Sequence, residues 1–104
     1  MMHGAILRIA YIYDMSTVKF TYALRRFFPG LRDTPARGST LAEVLDEVES
    51  SYPGVRGYLL DEQGRLRQHV NIFLDGNMVQ DRTHLSDPFP TNCEIYIMQA
   101  LSGG

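Results

Sequence analysis

With 104 residues, 44% of them apolar and 21% charged, the chain is one domain's worth with a core of its own, which excludes a disordered or fibrous protein. Ten Lys and Arg against twelve Asp and Glu leave a formal charge of -2, so neither nucleic acid nor an acidic membrane surface is expected as a partner. Cys93 is the one cysteine, which excludes an intramolecular disulfide and a Cys-rich metal or iron–sulfur site within one chain.

The first apolar run, from Ala5 to Tyr13, is too short to span a bilayer and is interrupted by Arg8. It also lacks the basic start and small-residue cleavage site of a secretory signal, so a cytoplasmic protein is expected. Residues 17–25 alternate, with Val18, Phe20, Tyr22 and Leu24 on one side and Lys19, Thr21, Ala23 and Arg25 on the other, and this spacing predicts a half-buried strand. Pro29-Gly30 breaks the pattern. Leu31 to Ala36 follows as a short second strand, an edge strand because Pro35 cannot donate to a ladder.

Thr40-Leu41-Ala42-Glu43 has the form of a capping box, and Leu41, Val44, Leu45, Val48 and Tyr52 continue at helical spacing as far as Pro53-Gly54. Glu43, Asp46, Glu47 and Glu49 make the opposite face acidic, which is most simply a solvated surface. Residues 54–69 are polar and punctuated by glycine, predicting loop and turn around an apolar anchor at Tyr58-Leu59-Leu60. Val70 to Leu74 reads as a strand, and Asp75-Gly76 predicts a tight type I′ hairpin into Asn77-Met78-Val79. The last alternating segment, Cys93 to Gln99, is a strand running into the tail Ala100-Leu101-Ser102-Gly103-Gly104.

That order gives one sheet with one main helix, which covers a single side and leaves the other face as a candidate docking surface. The tail carries the chemistry. Two consecutive glycines make a thin, flexible lead that can present a carboxylate in a narrow channel without side-chain clash. A carboxylate is a poor electrophile, but adenylation by ATP turns it into an acyl phosphate anhydride open to a persulfide, thiolate or amine.

The sequence resembles the MoaD/ThiS family of ubiquitin-like sulfur carriers. The resemblance runs from about Thr17 to Gly104: Val18-Lys19-Phe20 with Ala23-Leu24-Arg25-Arg26, the Ser39 to Leu45 helix start, Tyr52-Pro53-Gly54, Val70 to Gly76, and Glu94-Ile95-Tyr96-Ile97 leading to Ser102-Gly103-Gly104. It implies an α+β, ubiquitin-like β-grasp fold, a mixed four- to five-stranded sheet with one main helix packed on one face, over residues 17–104. It also implies that a ubiquitin-activating-type adenylating enzyme activates Gly104, that the carboxylate becomes a thiocarboxylate, and that a sulfur-accepting synthase takes the sulfur, in a molybdopterin, thiamine or cysteine type of biosynthesis. The carrier is then a co-substrate and not a catalyst, with no bound cofactor, and ATP is bound by the partner. An alternative is a ubiquitin-like modifier, conjugated through Gly104 to target lysines. A plain interaction module with an idle Gly-Gly is a third.

Two departures stand out. Many members place Phe-Pro-Pro where this chain has Met98-Gln99-Ala100, and residues 1–16 have no counterpart and read as an extension, either an extra strand or a non-native start ahead of Met15-Ser16-Thr17. The expected working residues are Gly104 with Gly103, and the expected partner contacts are Leu101, Ser102, Met98, Phe73 and Met78. Cys93 is expected to be a small buried hydrophobe instead of a nucleophile. His3, His69 and His84 show no ligand spacing, so no metal is expected.

Overall fold

The computed structural model describes residues 15–99. In chain order the elements are β1 (Ser16–Phe20), α1 (Tyr22–Phe27), β2 (Thr34–Ala36), α2 (Leu41–Ser51), α3 (Val55–Leu59), β3 (Val70–Leu74), β4 (Asn77–Met78) and β5 (Glu94–Gln99). The strands form one sheet in the order β2-β1-β5-β3-β4. Its centre is the parallel pair β1 and β5, in register from Thr17↔Glu94 to Phe20↔Ile97, and every other pairing is antiparallel. β1 begins at Ser16, one residue before the domain start drawn at Thr17, and Ser16 is buried with its hydroxyl accepting from the Cys93 amide. The run from Ala5 to Tyr13 and His3 lie outside the described residues.

Alternation holds in β1, where Val18 and Phe20 are buried and Thr17 and Lys19 face outward. It does not continue to residue 25 as the spacing predicts. The Thr21 amide makes the last bond to the Ile97 carbonyl, and the Thr21 carbonyl then accepts from the Arg25 amide, which opens α1. Ala23, Leu24, Arg25 and Arg26 are good helix formers, and over so few residues a period of two and a helical period select the same buried Leu24. Tyr22, assigned to the buried side by alternation, is 77% exposed. β2 is the expected edge strand, shorter than expected, with Pro35 opposite Thr17.

The capping box of α2 is present: the Thr40 hydroxyl accepts from the Glu43 amide at 3.2 Å, and the Glu43 carboxylate accepts from the Thr40 amide at 3.3 Å. The Ser39 amide, donating at 2.8 Å, is the largest influence holding the Glu43 carboxyl below its ordinary range. Leu41, Val44, Leu45 and Val48 are buried, in one core with Val18, Phe20, Val70, Ile72, Leu74, Ile95 and Ile97 from the inner sheet face. Glu47 accepts from the amides of Arg37 and Gly38 at 2.9 and 2.7 Å, tying the end of β2 to α2.

Residues 55–59, predicted as loop and turn, form the one-turn helix α3. The helix is built by a side chain seen only in three dimensions: the Glu49 carboxylate accepts from the amides of Gly54 and Arg56 at 2.9 and 2.8 Å. Gly54 takes a left-handed φ of 101°, and Val55 and Leu59, four apart, reach the core. The β3–β4 hairpin is as predicted, with positive φ at both Asp75 (49°) and Gly76 (86°), as a type I′ turn requires.

Between β4 and β5 the chain has no regular structure, yet no buried side-chain nitrogen or oxygen among the described residues is left without a partner. Arg82 donates to the Asn71 side chain at 2.7 Å and to the carbonyls of Arg67 and Val70 at 2.6 and 2.8 Å. Asp81 accepts from the amides of His84 (2.9 Å), Thr83 (3.2 Å) and Ser86 (3.3 Å) and from the Ser86 hydroxyl. These bonds, the His84 amide foremost, bring its carboxyl down to about 2.

A Cβ at Gly38 would stand 2.7 Å from Glu43 Cβ and 2.9 Å from the Val44 amide nitrogen, so Gly38→Ala is expected to destabilise the fold by about 1–3 kcal/mol in denaturant unfolding, and an unchanged midpoint would refute the clash. Because the folded Asp81 holds its proton less tightly than the ordinary value of 3.8, its contribution is complete above that range and is lost as pH falls toward 2. A carboxyl-carbon NMR titration is expected to place its midpoint near 2, with the amide signals of Thr83, His84 and Ser86 moving together; a midpoint in the ordinary carboxylate range would sink the assignment.

Candidate functional site: the end of β5 and the outer sheet face

Because β1 and β5 run in the same direction, β5 ends beside the start of α1. The Gln99 amide faces the Thr21 hydroxyl at 3.4 Å, and the Tyr58 hydroxyl donates to Gln99 Oε1 at 2.9 Å. The chain therefore leaves the sheet at a point bounded by β1, β3, α1 and α3. Gly104, Gly103, Ser102 and Leu101 lie outside the described residues.

The remaining expected contacts are brought together. Residues directly opposite across neighbouring strands share a face, so the register puts Met78, Phe73, Tyr96 and Lys19 in one row across the outer face and Asn71 beside Met98 in the next. Met78 is 53% and Met98 37% exposed, while Phe73 and Tyr96 are half-buried by their neighbours. Toward β1 the stripe is bounded by an ion pair between Lys19 and Glu94 at 3.2 Å. No helix among the described residues covers this face with buried side chains: those of α2 and α3 all point to the inner core. The arrangement is an apolar, lightly charged surface at the root of the tail, suited to being covered by another protein.

Sequence reasoning missed Tyr96, although the same alternation that selects Met98 selects it, and missed Tyr58 and Phe27. Phe27 is 60% exposed and its ring lies 5.4 Å from that of Tyr58, which also meets Phe28 at 5.3 Å and His69 at 5.9 Å. Nothing in the local pattern indicates that contact, since Tyr58 and Gln99 are 41 residues apart.

Cys93 is buried, with its thiol pushed up to about 11, first by burial and then by the Asp75 carboxylate. His69 and His84 are exposed and lie on separate segments, and no group of three or more His, Cys, Asp or Glu side chains among the described residues is placed to hold a metal ion. No described helix is long and apolar enough to cross a membrane.

A five-stranded mixed sheet with a parallel central pair and one long helix across its inner face defines the ubiquitin-like β-grasp class. Within that class the sequence matches the ThiS family over residues 18–104, and the chain belongs to that family. It is 29% identical over 90 residues to the sulfur carrier protein CysO of Mycobacterium tuberculosis, covering 85% of this chain and 97% of that protein. Among solved structures it is similar to a chain of the Amycolatopsis orientalis BexX/CysO complex, with a TM-score of 0.73, 27% identity and coverage of 86% and 99%. It also shares its fold with SAMP1 of Haloferax volcanii, with a TM-score of 0.71, 19% identity and coverage of 86% and 99%. The chain is thus a homologue of sulfur carriers, a class that is not itself catalytic.

Native protein at about pH 8 is expected to resist iodoacetamide at Cys93 and to be alkylated fully once denatured; alkylation of the folded protein at the rate of a free thiol would contradict the burial.

Proposed function

We propose that this chain carries sulfur as a thiocarboxylate on Gly104. The observation that bears most of the weight is that the family match runs through Gly103 and Gly104, on a fold whose central strand leads directly to them. In this reading a carboxylate oxygen of Gly104 attacks the α-phosphorus of ATP bound by an adenylating partner, and pyrophosphate leaves. Hydrosulfide then attacks the carbonyl carbon and displaces AMP, so that its sulfur replaces one carboxylate oxygen and its proton is lost to solvent. The loaded carrier gives that sulfur to an acceptor held by a second partner.

This chain contributes position and access. Five residues beyond Gln99 reach at most about 18 Å when extended, enough to enter an active site while the sheet stays docked outside. Gly103 removes the side-chain obstacle next to the reacting group. Met98, Phe73 and Met78 supply the apolar contact on the outer face, with Leu101 and Ser102 gripped inside the channel. The similarity to a carrier crystallised with another protein supports such docking, and a step that consumes ATP fits a cytoplasmic carrier.

Intact-mass measurement of the protein recovered from its own cells tests this. The expected product is an exchange of one oxygen for sulfur at the C-terminus, abolished by deleting Gly103 and Gly104. Glycine-linked lysine adducts on other proteins would support the modifier instead, and a carboxylate that stays free under sulfur demand would overturn both.

A further inference from the structure

We infer that Tyr58 and Thr21 are positioning residues that clamp Gln99 and so fix where the tail leaves the sheet. The inference rests on the carrier reading for its consequence, but its geometry stands apart from it. Ile97 is the last fully buried residue of β5; Met98 and Gln99 beyond it stay paired with Asn71 and Val70 of β3, but the ladder to β1 ends at Phe20↔Ile97. Here Gln99, half-buried on the same side as Ile95 and Ile97, is held from two elements distant in sequence. Its amide meets Thr21 Oγ1 at the entrance to α1, and its side-chain oxygen accepts from Tyr58 on α3.

Tyr58 is itself held in place. Phe27, Phe28 and His69 surround its ring at 5.3 to 5.9 Å, so little side-chain freedom remains to be lost when the hydroxyl bonds to Gln99. The helix bearing it is fixed to α2 by the Glu49 carboxylate and by the Arg56–Asp46 ion pair at 2.6 Å. A continuous set of contacts therefore runs from α2 through Glu49 and Tyr58 to the root of the tail. A tail held at its root leaves fewer residues to be ordered when a partner grips it, which favours binding. The reacting carboxylate is five residues further on, so the chemical step is left untouched.

The consequence is a split between KM and kcat. Tyr58→Phe keeps the ring and its three neighbours but loses the hydroxyl, and Thr21→Val keeps the shape and the backbone bonds of Thr21. Each is expected to speed amide exchange at Gln99 roughly two- to tenfold, the equivalent of one net hydrogen bond. KM for the carrier in ATP-dependent activation is expected to rise by the same factor, with kcat unchanged and the thermal midpoint lowered by no more than the several degrees that one net hydrogen bond accounts for. Gln99→Leu should behave like Tyr58→Phe, and Gln99→Glu, which retains an acceptor, should recover most of the loss. Unchanged exchange at Gln99 in Tyr58→Phe overturns the clamp. Faster exchange with an unchanged KM overturns its role in presentation, as does a fall in kcat that tracks the thermal midpoint. Exchange needs no partner, so a wild-type chain that no adenylating enzyme activates would refute the carrier reading while exchange still decides the clamp.

Discussion

The parallel pairing of β1 with β5 is the constraint on which the rest of the structure depends. It joins the first and last described strands, so about 75 intervening residues must be closed into a loop before Val18 and Phe20 can sit beside Ile95 and Ile97. Both strands are central, bonded on each side, and a slip of one residue would turn their buried side chains to the outer face. The remaining pairings are local additions to this pair: β2 follows β1 after a short helix and turn, and β3 with β4 is a hairpin laid against β5. Direction matters as much as adjacency. An antiparallel β5 would deliver its end to the opposite edge of the domain, away from α1 and Tyr58.

A face open to other proteins is safe for a small sheet only if it does not become an open edge. The outer face here has apolar side chains in the middle and the Lys19–Glu94 pair toward β1. Among the described residues the edge strands are short: β2 spans three residues around Pro35, and β4 spans two after its turn. Such edges offer few unpaired backbone groups to another sheet, while the face stays available to side-chain contacts. The segment that could have lengthened β4 is drawn away after Val79 by Asp87, which accepts from the amides of Gln80 and Asp81, and by Arg82, which turns back to β3.

Features fixed by neighbouring residues were legible in the sequence. Thr40 and Glu43 specify the start of α2, Asp75-Gly76 specifies a turn, and alternation in 70–74 and 93–99 specifies the buried faces of β3 and β5. Where two periods agree on one residue, as at Leu24, pattern alone assigned a strand and the backbone formed a helix. α3 escaped because its stability comes from Glu49, outside the helix, and because Gly57 at its centre reads as a breaker. At the candidate site the same division holds. Phe73, Met78 and Met98 could be grouped once strands were assigned, whereas Tyr58 and Thr21 meet Gln99 only after the chain has closed on itself.

The approach to the tail shows how one mechanical requirement is met by different chemistry. In a carrier that has Phe-Pro-Pro at this point, proline fixes φ by its ring, and the exit direction is built into the covalent chain. This chain has Met98 and Gln99 there, paired with Asn71 and Val70 of β3, and Gln99 takes further hydrogen bonds from Thr21 at the start of α1 and from Tyr58 of α3. The two solutions differ in reversibility. A proline keeps its φ in every complex, whereas a glutamine held by a hydroxyl can let go when a partner offers a better donor. The departure at Met98-Gln99-Ala100 therefore does not leave the exit unguided; it moves the guidance from the strand to the helices beside it, where Tyr58 and Thr21 supply it.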